Sequence, residues 1–99
     1  MNLITDIELQ HVPEKDTWLC DADFNTGHGV LCAKVSTTGE RKFYFRYYTE
    51  NFKRVRLALG KYDPAGRRGL TLYSARKKAR ELSSLHKAGI KNIREHLSS

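Results

Sequence analysis

The chain has 99 residues, with 39% hydrophobic and 10% aromatic content, enough for one small core and too little for a multidomain enzyme. Eighteen Lys and Arg against 11 Asp and Glu leave a net charge of +7, a balance suited to a polyanionic partner rather than a neutral small substrate. No run approaches the roughly 18 apolar residues that cross a bilayer, and the N-terminus has no basic start followed by an apolar core, so a soluble chain that is not exported is expected. Nothing indicates secretion, and Cys20 and Cys32 are therefore expected as free thiols.

Charge is unevenly spread. Residues 1–33 carry one base and six acids and sum to −5, whereas residues 34–99 sum to +12. Binding is thus expected in the second part, with the acidic start acting as lid, edge or linker. A weak extended segment at 17–20 can add a strand at a sheet edge ahead of the Gly27-His28-Gly29 turn. Trp18 within it is assigned to core packing.

Three β-rich runs follow at 30–36, 42–49 and 53–60. The first connection, Thr37-Thr38-Gly39-Glu40, offers Gly39 for a positive φ; the second, Glu50-Asn51-Phe52, offers Asn51 for a left-handed position. Both are hairpin length, and an antiparallel meander is predicted. After a loop holding Asp63, Pro64, Gly66 and Gly69, the period changes. Leu72, Ala75, Ala79, Leu82 and His86 recur at helical spacing, with Thr71 as N-cap and Gly89 just past the C-terminus. Ile90, Ile93 and Leu97 keep that spacing into a short second helix or a lead toward a further domain. The predicted fold is α+β: a three-stranded antiparallel sheet packed against one C-terminal helix, with the edge strand as an addition.

Alternation along the strands separates two faces. Leu31, Ala33, Val35, Phe43, Phe45, Tyr47, Val55, Leu57 and Leu59 form the core side. Cys32, Lys34, Ser36, Lys42, Tyr44, Arg46, Tyr48, Arg54, Arg56 and Ala58 form the other, five bases and two tyrosines with no acid among them. A merely solvated sheet would pair such bases across strands, so an absent anion explains them better. A narrow twisted sheet fits the major groove of duplex DNA, where Arg and Lys reach guanine edges or phosphates. Arg67 and Arg68, in the glycine-flanked loop, suit a phosphate clamp, while Arg76, Lys77, Lys78 and Arg80 are placed as solvated or peripheral groups on the helix.

Three motifs occur in order: Gly39-Glu40-Arg41-Lys42-Phe43-Tyr44-Phe45-Arg46-Tyr47, then Arg56-Leu57-Ala58-Leu59-Gly60-Lys61-Tyr62, then Thr71-Leu72-Tyr73-Ser74-Ala75-Arg76. Their order and spacing resemble the N-terminal arm-type DNA-binding domain of phage and prophage integrases of the tyrosine recombinase class, with Gly89-Ile90 matching the pair that closes its helix. The resemblance spans about 29–90. It implies a sheet inserted in the major groove of arm-type sites during DNA integration and recombination, with strand cleavage in a separate catalytic domain. It also implies double-stranded DNA as partner, alongside other integrase protomers or accessory DNA-bending proteins in the full protein, and a bacterial cytoplasmic, nucleoid-associated location. The chain departs from the pattern where Asp63 precedes Pro64 and the family has Pro directly, where the loop to the helix carries the extra Ala65-Gly66-Arg67-Arg68-Gly69, and where Ser74 replaces the acid of the first helical turn.

The resulting division is an N-terminal segment at 1–28, the DNA-binding domain at 29–90, and the start of a linker at 91–99. DNA contacts are assigned to Lys34, Ser36, Lys42, Tyr44, Arg46, Tyr48, Arg54, Arg56, Arg67 and Arg68, with no catalytic residues, cofactor or metal. Competing readings are an RNA-binding or unspecific nucleic-acid module, a protein-interaction domain, and a zinc site from Cys20, His28, Cys32 and His11. The last lacks the close Cys pair of structural zinc sites.

Overall fold

The computed structural model describes residues 3–21 and 29–98, so the Gly27-His28 part of the expected turn lies outside the described residues. Seven elements follow in chain order: α1 (Asp6–Gln10), β1 (Thr17–Cys20), β2 (Val30–Val35), β3 (Arg41–Tyr48), β4 (Arg54–Lys61), α2 (Leu72–Lys87) and α3 (Ile93–Ser98). The strands form one antiparallel sheet in the order β1-β2-β3-β4. The predicted meander is its β2-β3-β4 part, and the weak segment at 17–20 is its fourth, edge strand.

Alternation decides what each strand buries. Leu31, Ala33 and Val35 on β2 and Phe43, Phe45 and Tyr47 on β3 are buried, and α2 covers them with Leu72, Ala75, Ala79, Leu82 and His86, the stripe expected from the helical spacing. Each large apolar side chain so enclosed contributes about 1.5–3 kcal/mol. Val55, Leu57 and Leu59 on β4 are only partly buried, because α2 packs against β2 and β3. Thr71 caps α2 by accepting from the Ser74 amide at 3.1 Å. At the other end Gly89 adopts a φ of 109°, its amide donating to His86 O while Ile90 N donates to Leu85 O. That pair of bonds is a Schellman motif, and it closes the last turn with carbonyls that would otherwise be orphaned.

The acidic start is part of the packed domain. A reciprocal capping box, in which the Glu8 amide donates to the Thr5 hydroxyl and the Thr5 amide to the Glu8 carboxylate, begins α1, a helix absent from the sequence-based prediction. Ile4 and Leu9 are buried in the main core, as is Ile93 at the start of α3. Tyr62 links α1 to the sheet, donating to Asp6 at 2.7 Å, and burial of its hydroxyl pushes its pKa up.

Three expectations are corrected. The cysteines are not free: β1 pairs with β2 so that Cys20 stands directly opposite Cys32, Cα atoms 4.0 Å apart, and the two form a disulfide. The expectation rested on compartment alone, whereas strand pairing places the sulfurs in reach. Trp18 is not in the core: it pairs with Lys34 and shares its outward face, while Leu19 is the β1 side chain packed inward. In the β3–β4 turn the left-handed residue is Phe52, φ 60°, not Asn51, and Phe52 is 86% exposed.

Candidate nucleic-acid interface

Strand register arranges the outward side chains in rows. Lys34, Lys42 and Lys61 lie side by side on β2, β3 and β4; Tyr44 stands between Cys32 and Ala58; Arg46 faces Arg56; Tyr48 faces Arg54. Lys61 is missing from the set expected from alternation. A β-bulge between Phe43 and Tyr44 pairs Phe43 with Gly60 and Tyr44 with Ala58, so one extra β4 residue is inserted and the parity of the strand reverses. Residue 61 therefore joins the outward face that strict alternation denies it. A glycine inside a strand, here Gly60, was the sequence signal for such a bulge.

Six bases thus share one face, and among the described residues no carboxylate is paired with any of them. Directly opposed like charges on neighbouring strands are destabilising, so Lys34–Lys42–Lys61 and Arg46–Arg56 cost the sheet stability in the free protein. Their long stems leave the charged heads in water at the surface.

Trp18 extends the face across β1. Its ring centroid lies 5.2 Å from that of Tyr44, the Arg56 guanidinium carbon sits 4.4 Å over its centroid, and Lys34 Nζ lies 5.9 Å from it. Beneath this cluster the Cys20–Cys32 bond fastens the edge strand to the meander, and Cys32 is fully buried although its position is outward. Neither sulfur is available as a thiolate ligand, and among the described residues no group of His, Cys, Asp and Glu is arranged to hold a metal; His28 of the zinc alternative lies outside them.

The remaining assigned residues lie apart from these rows. Ser36 is at the end of the β2–β3 hairpin, its hydroxyl 2.8 Å from that of Thr38 and accepting from the Glu40 amide at 3.0 Å. Arg67 and Arg68 are exposed in the loop after β4. Their backbone amides donate to Asp63 Oδ2 at 3.0 and 2.8 Å, and Ala65 N donates to Oδ1 at 2.9 Å. These bonds, that of Arg68 foremost, hold the Asp63 carboxyl below the usual carboxylate range. Gly69 completes the loop because a side chain there would run into the Lys61 carbonyl.

On α2, Arg76 is not a solvated base. It forms a bidentate pair with Asp21, Nε and Nη2 each at 3.0 Å, and donates to Ile4 O at 2.6 Å. The bond to Asp21 raises its pKa. Lys77, Lys78 and Arg80 are exposed.

A model of the arm DNA-binding domain matches residues 4–98, nearly the whole chain and every element of the fold. The chain belongs to the arm DNA-binding domain family. Its partner is accordingly DNA, and the domain is a binding module rather than a catalytic one. Comparison with curated proteins and with solved structures returned no match. The family match begins at residue 4 and so takes in α1 and β1, beyond the 29–90 stretch over which the motifs carry the resemblance. Among the described residues no helix is long and apolar enough to cross a membrane.

Proposed function

We propose that this domain binds duplex DNA with sequence selectivity, laying the outward face of its sheet into the major groove of arm-type sites, as the N-terminal domain of a phage or prophage integrase of the tyrosine recombinase class. The observation that supports this most is the set of six bases on one sheet face with no acid among them. Arg46, Arg54 and Arg56 carry the planar fork suited to base edges. Lys34, Lys42 and Lys61 are point charges suited to phosphates. Tyr44 and Tyr48 offer hydroxyls and ring faces to phosphates or thymine methyls, and Ser36, Arg67 and Arg68 flank the groove as backbone contacts.

In this reading the domain tethers a recombinase to prophage arm sites in the bacterial nucleoid while a separate domain performs strand exchange, with other protomers and DNA-bending proteins sharing the assembly. Tethering raises the effective concentration of a module whose own affinity is modest. The test is affinity for a flank duplex of the attachment site at several salt concentrations, alongside duplex RNA of equal length. About five phosphate contacts give a slope of log affinity against log salt near −4 to −5, with Arg46→Ala, Arg54→Ala and Arg56→Ala each weakening the cognate duplex. Equal affinity for duplex RNA would favour the RNA-binding alternative, and a flat salt response with unaffected variants would remove the reading.

A further inference from the structure

Arg56 rises from β4 and Trp18 from β1, with two strands between them. Trp18 aligns with Lys34 and Lys42 whereas Arg56 aligns with Arg46, so their backbones are separated by three strand spacings, roughly 14 Å at about 4.8 Å each, and by a further four residues along the strands, yet the guanidinium carbon sits 4.4 Å over the indole centroid. Both side chains therefore lie flat across the sheet and meet near its middle, beside Tyr44, rather than extending into water. Trp18 is 37% exposed, so the pair remains open to a partner on this face. An arginine held by its face on an aromatic ring keeps its N–H edge free, and its rotamer is chosen before binding.

A phosphate can take a guanidinium fork from several directions, and the row Lys34–Lys42–Lys61 already offers charges for phosphates, so a fixed orientation gains less there. It matters for an acceptor pair of fixed geometry. In the major groove that pair is O6 and N7 of guanine, read bidentately by arginine. The Arg46–Arg56 row also lies between the lysine row and the Tyr48–Arg54 row, within the face rather than at its end.

We propose that Trp18 is a positioning residue: its ring holds Arg56 across the sheet so that the guanidinium reads one guanine, and the pair sets a guanine requirement at one position of the site. The proposal rests on the major-groove reading above and deepens it by naming the base recognised.

The test is selection from a randomised duplex library by the intact wild-type protein and the Trp18→Ala, Trp18→Phe and Arg56→Lys variants, each checked for fold by circular dichroism. Wild type is expected to enrich a site with one guanine that Trp18→Ala and Arg56→Lys no longer require, the rest of the site being kept. Trp18→Phe, which keeps a ring, should retain the requirement. Replacing that guanine with 7-deazaguanine, which removes the N7 acceptor, should weaken wild type about tenfold and Trp18→Ala hardly at all. The proposal is overturned if Trp18→Ala selects the same guanine with undiminished discrimination, or loses affinity evenly on all duplexes as a lost phosphate contact would. Failure of the wild type to enrich any sequence would instead overturn the sequence-selective function itself, and the proposal with it.

Discussion

Lys42 and Lys61 stand directly opposite each other on β3 and β4, brought onto one face by the bulge that precedes Tyr44. A fold selected for stability alone would place an acid at one of them. Lys61→Glu is therefore expected to stabilise the free domain by roughly 0.2–1 kcal/mol, by exchanging a like-charge pair for an opposite one. The same change should weaken DNA binding and reduce the salt slope by about one contact. Thermal melts and isotherms at three salt concentrations check both halves; lost stability with an unchanged slope would mean that Lys61 serves the fold and not the partner.

The Cys20–Cys32 bond closes a segment of sequence separation 12 and ties the edge strand to β2. Chain-entropy reasoning gives such a loop about 3 kcal/mol. Reduction, or the paired change Cys20→Ser with Cys32→Ser, should lower the melting temperature by about 12–24 °C for a domain of this size. Melts with and without reductant, with thiol counting by intact mass, decide it. A melt indifferent to reductant would mean that strand pairing alone holds β1.

Arg76 reaches from α2 to Asp21 and to the Ile4 carbonyl, joining the acidic start to the helix. Arg76→Ala leaves the mostly buried Asp21 carboxylate with the Ile4 amide but without its cation and should cost about 2–3 kcal/mol. Lys77→Ala, one residue on and exposed, should leave the urea midpoint unchanged. A stability loss confined to Arg76→Ala, with DNA affinity nearly unchanged, identifies Arg76 as a fold residue; a large affinity loss without destabilisation would identify it as a DNA contact.

The Asp63 carboxyl, held below its ordinary value of 3.8 by the amides of Arg68, Ala65 and Arg67, stabilises the loop that carries the two exposed arginines. A carboxyl with a depressed folded pKa contributes stability above its unfolded pKa and loses it as pH falls through the folded one. The Arg67 and Arg68 amide resonances should accordingly hold steady at neutral pH and move only with a midpoint below 3.8. Asp63→Asn should remove that transition; its persistence in the variant would assign the titration to another group.

What could be read from the residues alone was what depends on local periodicity. The α2 stripe from Leu72 to His86, its Thr71 cap and its Gly89 terminator are set by residues a few positions apart, and the two faces of β2 and β3 follow from alternation. What escaped depends on registers between segments far apart in sequence. Lys61 changes face because one residue bulges, the cysteines meet because β1 pairs in one register, and Trp18 faces outward for the same reason. The α1 capping box at Thr5 and Glu8 was legible but lay in a segment read for its charge. Phe52 at a left-handed position, next to an asparagine better suited to it, contradicts local preference, and nothing in the structure explains it.

Contact between the outward face of the sheet and DNA can be followed by titrating isotope-labelled protein with a duplex from the flank of the attachment site and with a scrambled duplex. Resonance shifts are expected to concentrate on Lys34, Tyr44, Arg46, Arg54, Arg56 and Lys61, stronger for the flank duplex, with the exposed face of α2 little changed. Shifts centred instead on Lys77, Lys78 and Arg80, with the sheet face unmoved, would contradict it.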